Sequence, residues 1–201
     1  MTDERMGDRL RAALVRLPRG GGVIFRHHAA PPAERRRLFA AVRQIARRRG
    51  LVLVLAGSVR DAIGWRADGV HGRSRHVTGP RGLLRTAPVH DARELVAATR
   101  AKADIALVSP VFPTRSHPGA PSLGVLRFGL LANAGPRRGR GTGSTGPRPA
   151  PGNPLLITLG GMDARRFRRV HPLGTHGWAA IDAWLPGIGQ DHRKPRPARS
   201  S

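Results

Sequence analysis

Residues 103–124 read ADIALVSPVFPTRSHPGAPSLG, and how this stretch folds decides how the chain folds. Residues 104–108 are an apolar run of strand length. Pro110 and Pro113 bar its continuation as a central strand or a helix, because proline lacks the amide hydrogen and fixes its own φ. Thr114, Arg115, Ser116 and His117 then put two hydroxyls, a guanidinium and an imidazole just beyond the strand's C-terminal end. Parallel α/β folds bind their ligands at that end. The same residues also suit a polar surface turn, and the stretch alone leaves both readings open.

Outward from it, strand and helix alternate. Upstream, Leu10, Ala13, Leu14 and Leu17 give helical spacing over 8–17, and 23–26 is a short strand. Pro31 or Pro32 opens a helix with Leu38, Ala41, Val42 and Ile45 as its buried stripe, closed by Gly50. Residues 51–55 are a continuous apolar run, as expected of a parallel strand covered on both faces. Ser58 starts a short helix, 69–71 and 83–87 are strands, and Asp91 with Glu94 has capping-box spacing before another helix. Downstream, 122–132 is a helix, 155–159 a strand, Asp163 a helix cap and 177–181 a last strand. This alternation predicts a parallel α/β barrel. Residues 135–153 (GPRRGRGTGSTGPRPAPGN) and the basic tail 190–201 lack apolar residues to bury and are expected to be disordered. The first of these links a helix to the next strand, which in a barrel lies on the face opposite the active site.

Composition narrows the function. The 201 residues suffice for one sizeable core, although a (β/α)8 barrel typically takes roughly 250. With no cysteine, disulfides and thiolate metal sites are excluded, and no apolar run reaches the roughly 18 residues of a membrane span. A cytoplasmic protein is expected. The 36 basic and 12 acidic side chains give a charge of +24, which raises nucleic acid as a partner. Against it, arginine is spread over every segment, the only lysines are Lys102 and Lys194, and no tyrosine is present to stack on bases.

Four motifs carry a family resemblance. Ser109-Pro110-Val111-Phe112-Pro113-Thr114, followed by Ser116, resembles the GPVFPT-x-[ST]-K loop of the thiamine phosphate synthase and TenI family. Residues 155–183 (LLITLGGMDARRFRRVHPLGTHGWAAIDA) are similar to that family's strand–AIGGI–helix–GADGVAVISA ending. RADGVH at 66–71 resembles its GADGVH, and Phe25-Arg26 the middle of its Q-[LF]-R-x-K strand. The motifs fall in the family's order across nearly the whole chain. The resemblance implies a TIM (β/α)8 barrel over 1–189 with its first strand truncated, since Met1-Thr2-Asp3 is similar only to the Thr-Asp tail of that strand. Either the gene start is truncated or the strand is lost; the first is favoured because all later parts are present.

The implied reaction couples an aminopyrimidine methyl diphosphate with thiazole phosphate, giving thiamine phosphate and diphosphate. Carried over residue by residue, the catalytic group is Arg26, His28, Thr114, Ser116 and His117, with His28 and His117 at lysine positions. Gly160, Gly161, Ile181 and Asp182 would hold the thiazole phosphate. Two glycines between a strand and a helix leave their amides open to an anion, although Gly-Gly alone is a weak signal. Asp182 replaces a serine, and its carboxylate would repel the phosphate unless turned away. Arg73, Arg75 and Arg115 are possible diphosphate ligands. The family's Mg2+ is not matched by its ligands here. The carboxylate positions fall on Ala56 and Gly57 and within 72–76, which hold no acid, while Asp61 and Asp68 read as structural. No other cofactor is evident. Pro88 replaces a serine after a strand, and Pro110 stands where the thiazole tautomerase branch has its histidine.

At the mouth, cationic groups accumulate instead: Arg26, His28, His71, Arg73, Arg75, Arg115 and His117. They are either ordinary solvated side chains or fixed charges doing the metal's work. Three functions follow: an active synthase using phosphorylated pyrimidine and thiazole, a non-catalytic TenI-like ligand-binding or regulatory relative that has lost the Mg2+ site, and, weakest, a basic nucleic-acid-binding protein.

Overall fold

The computed structural model describes residues 1–73, 82–114, 119–134 and 152–185. Among them, seven parallel strands pair in chain order: β1 (Gly22–Phe25), β2 (Val52–Ala56), β3 (Gly69–His71), β4 (Leu84–Val89), β5 (Ile105–Val108), β6 (Leu155–Thr158) and β7 (Gly177–Trp178). Helices α1 (Arg9–Arg16), α2 (Pro32–Arg49), α3 (Val59–Gly64), α4 (Ala92–Arg100), α5 (Gly124–Asn133) and α6 (Ala164–Val170) flank them. The expected insertion, 135–153, falls largely outside the described residues and the expected tail, 190–201, wholly outside them.

Strand period sets the layers, since alternate side chains point to opposite faces. Ile24, Val54, Ala56 and Leu107 meet in an inner cluster. Their neighbours Phe25, Leu53, Leu55 and Val70 pack outward against Leu10, Leu14, Phe39 and Val42 of α1 and α2. Ala106, Val108 and Leu156 do the same against Phe128, Leu131 and Val170 of α5 and α6. Burial on both faces is why these strands read as unbroken apolar runs. Helix starts are fixed by side-chain caps: Ser58 accepts from the Asp61 amide at 3.0 Å, Asp91 from Glu94 at 2.8 Å and Asp163 from Arg166 at 2.7 Å. Gly50 ends α2 at φ +62°, a conformation that costs glycine little.

The first residues of the chain bridge β1 and the segment that follows β7. The Thr2 amide donates to the Ile24 carbonyl at 2.8 Å, and the Met1 ammonium donates to the Ala180 carbonyl at 3.2 Å. Two sequence expectations are corrected here. The last strand, expected over 177–181, pairs only at Gly177–Trp178, with one further bond from the Ala179 amide to the Thr158 carbonyl at 2.8 Å. Beyond it the Ala180 carbonyl accepts from the Met1 ammonium, and the chain turns into the 3₁₀ segment Asp182–Trp184. Pro88 lies within β4, paired in register with Leu107, rather than after the strand. No helix among the described residues is long and apolar enough to cross a membrane.

Candidate active site

The C-terminal ends of the strands open into a cavity of about 1600 Å³. Of the residues carried over from sequence, Arg26, His28, Thr114, Gly160, Gly161, Ile181 and Asp182 line it together. Arg73 is exposed two residues past β3 and does not line it. Arg75, Arg115, Ser116 and His117 lie outside the described residues.

Arg26 follows β1 directly. Its amide donates to the Thr2 hydroxyl at 3.0 Å, and its carbonyl accepts from Nε and Nη2 of Arg35 at 3.0 and 2.9 Å. Arg35 reaches over from α2, also donates to the Ala56 carbonyl at 2.6 Å, and lies 5.3 Å from the Trp65 ring centroid and 5.8 Å from that of Phe25. One guanidinium thus ties the ends of β1 and β2 together. Nothing in a helix-face reading of 32–49 marks Arg35 out among its arginine neighbours; its contacts are made by tertiary structure.

His71 ends β3, and its Nδ1 sits 2.8 Å from the Thr86 hydroxyl on β4. Burial first, then the charges of Arg26, the N-terminal ammonium and His28, push its pKa down to about 4. His71 is therefore a neutral imidazole at neutral pH, which corrects its place among the cationic groups. With Nδ1 engaged by Thr86, Nε2 is the ring nitrogen left for the cavity. His28 is also lowered, by burial first and then by Arg35 and Arg26.

The loops after β5 and β6 are locked together. Val111 and Phe112 donate their amides to the Leu159 and Gly160 carbonyls at 2.9 and 3.2 Å. Gly160 has φ +88° and Gly161 φ +59°. A Cβ on Gly160 would stand 2.7 Å from Pro110 Cα, and one on Gly161 would strike the Pro113 carbonyl. These glycines are required by loop packing, a reason the sequence did not give. Asp182 is partly buried, and its carboxylate helps raise the Arg5 pKa, after the larger contribution of Arg5's hydrogen bond to Asp3. It therefore lies within electrostatic reach of a cation outside the mouth.

A magnesium site requires oxygen donors, chiefly carboxylates. The end of β2 offers Ala56, whose carbonyl is taken by Arg35, and Gly57, whose Cβ position lies 3.9 Å from Arg35 Nη1. Asp163 is engaged as the cap of α6. No cluster of three or more potential metal-ligating side chains occurs among the described residues. The described residues do not fit the ion.

Seven in-order parallel strands curled with flanking helices and opening into a cavity at their C-terminal ends define a TIM-like α/β protein. The family profile described as thiamine monophosphate synthase, TMP-TENI, matches residues 2–184, and the chain belongs to that family. Among solved structures, thiamine phosphate pyrophosphorylase from Pyrococcus furiosus is similar at 23% identity and a TM-score of 0.68, over 90% of this chain and 83% of that one. The Bacteroides thetaiotaomicron thiamine phosphate pyrophosphorylase is similar at 14% identity and a TM-score of 0.55, over 89% and 77%. FabK from Thermotoga maritima shares the fold at 17% identity and a TM-score of 0.64, covering 89% of this chain and 55% of FabK. No curated protein sequence matches the chain.

Proposed function

We propose that this mouth binds phosphorylated thiamine precursors and couples an aminopyrimidine methyl diphosphate to a thiazole phosphate. The carbon–oxygen bond to diphosphate breaks, diphosphate leaves with the electron pair, and the thiazole nitrogen gives its lone pair to the exposed methylene carbon. Such a reaction asks the protein for positioning and for positive charge at the leaving oxygens. The observation that carries this reading is one cavity lined by both Arg26 and the interlocked 109–114 and 159–161 loops. Arg26 supplies charge, the Gly160–Gly161 turn and Ile181 receive the phosphate end, and His71 offers an uncharged imidazole to the amine.

Ala56 and Gly57 carry no carboxylate for magnesium, so the positive charge at the leaving oxygens is assigned to Arg26. That same observation favours a second reading, a relative that binds thiamine phosphate without making it. Incubating the full chain with both substrates, with EDTA and then with Mg2+, and growing a thiamine phosphate synthase deletion strain that carries the gene, tests the proposal. Thiamine phosphate formation and growth are expected. Binding without turnover or growth establishes the second reading in its place.

A further inference from the structure

We infer that Arg166 and Arg169 of α6 are the charged half of a phosphomonoester site whose other half is the Gly160–Gly161 turn. This rests on reading the mouth as a phosphate-binding site. Helix α6 carries Arg165, Arg166, Arg168 and Arg169, and all four border the cavity. Arg166 and Arg169, three residues apart, share a helix face. Their guanidinium carbons lie 5.3 and 5.7 Å from the centroid of one ring, that of Phe112. Phe112 belongs to the loop after β5, and its own amide donates to Gly160. Arg166 Nη1 in turn donates to the Gly161 carbonyl. Arg166 is thus held by the junction that shapes the glycine turn, and Arg169 lies over the same ring from an exposed position.

Neither arginine forms an ion pair among the described residues. The acid closest in sequence, Asp163, accepts from the Arg166 backbone amide as the cap of α6. Two guanidiniums against one ring repel each other, and a dianion beside them removes that cost. Guanidinium matches phosphate oxygens in pairs, and the three terminal oxygens of a monoester can meet two guanidiniums and still reach a loop amide. A carboxylate, with two oxygens and one charge, satisfies less of this arrangement.

Calorimetry on the full chain tests this with inorganic phosphate, thiamine phosphate and unphosphorylated thiamine as probes. Arg169→Ala, an exposed position where folding is not at issue, and Arg166→Ala/Arg169→Ala are compared with Arg47→Ala/Arg48→Ala on exposed turns at the opposite face. The inference expects Arg169→Ala to weaken phosphate and thiamine phosphate several-fold and the double variant to weaken them roughly tenfold or more, with thiamine unaffected and the Arg47/Arg48 variant unchanged. Lysine at both positions should restore part of the affinity, since charge is kept and the fork is lost. Unchanged affinity in both α6 variants, or an equal loss in the Arg47/Arg48 variant, overturns it. Arginine-dependent phosphate binding with thiamine phosphate bound no better than phosphate supports this site and instead defeats the ligand assigned under Proposed function.

Discussion

Arg35, on α2, donates from Nε and Nη2 to the carbonyl oxygen of Arg26 at 3.0 and 2.9 Å, so one guanidinium fixes the backbone that presents the other to the cavity. The third bond, to the Ala56 carbonyl, extends the clasp to the end of β2.

Arg35→Ala removes three charge-assisted bonds and two ring contacts. The site is partly solvated and water replaces some of the loss, so destabilisation of about 2 kcal/mol is expected in urea unfolding. Ligand affinity should fall with it, because Arg26 loses its anchor. Arg35→Lys keeps the charge without the fork and should recover part of both.

Stability should fall on acidification through the His71 window. Its folded pKa, about 4, lies below the ordinary value of 6.5, so between these the unfolded chain binds more protons. The contribution is fully present above pH 6.5 and is lost as pH falls towards 4, by up to about 3 kcal/mol. His27 and His28, also lowered, act in the same direction. Urea midpoints at several pH values for the protein and for His71→Gln check this: the variant should lose most of the slope between pH 6.5 and 4.

Gly160→Ala should be disruptive beyond ordinary loop changes. The methyl group meets Pro110 Cα at 2.7 Å in a backbone conformation, φ +88°, that alanine rarely adopts. A loss of about 2–4 kcal/mol is expected from strain plus overpacking, measured by thermal or urea unfolding. A substitution at Gly152, also at positive φ but with open space around its Cβ position, should cost only the backbone term of about 1 kcal/mol.

The fold was legible because parallel strands buried on both faces announce themselves as apolar runs, and because Pro110 and Pro113 stop β5 where the site begins. The length of the last strand was not: 177–181 has strand composition, but only Gly177 and Trp178 find ladder partners, on β6, a pairing that tertiary structure sets. Arg26 and the glycine turn were legible from local motifs. The clasp by Arg35, the seating of Arg166 and Arg169 on Phe112 and the neutral state of His71 were not, because each depends on residues that only the barrel brings together.

Calorimetric titration of the full chain with thiamine phosphate, first in EDTA and then with Mg2+, tests the account most directly, with Arg26→Ala in parallel. One-site binding in EDTA, unchanged by Mg2+, is predicted, with a loss of roughly 2–4 kcal/mol in the variant because Arg26 contacts the phosphorylated ligand in the mouth. Absence of binding, strict dependence on Mg2+, or full affinity in Arg26→Ala would contradict it.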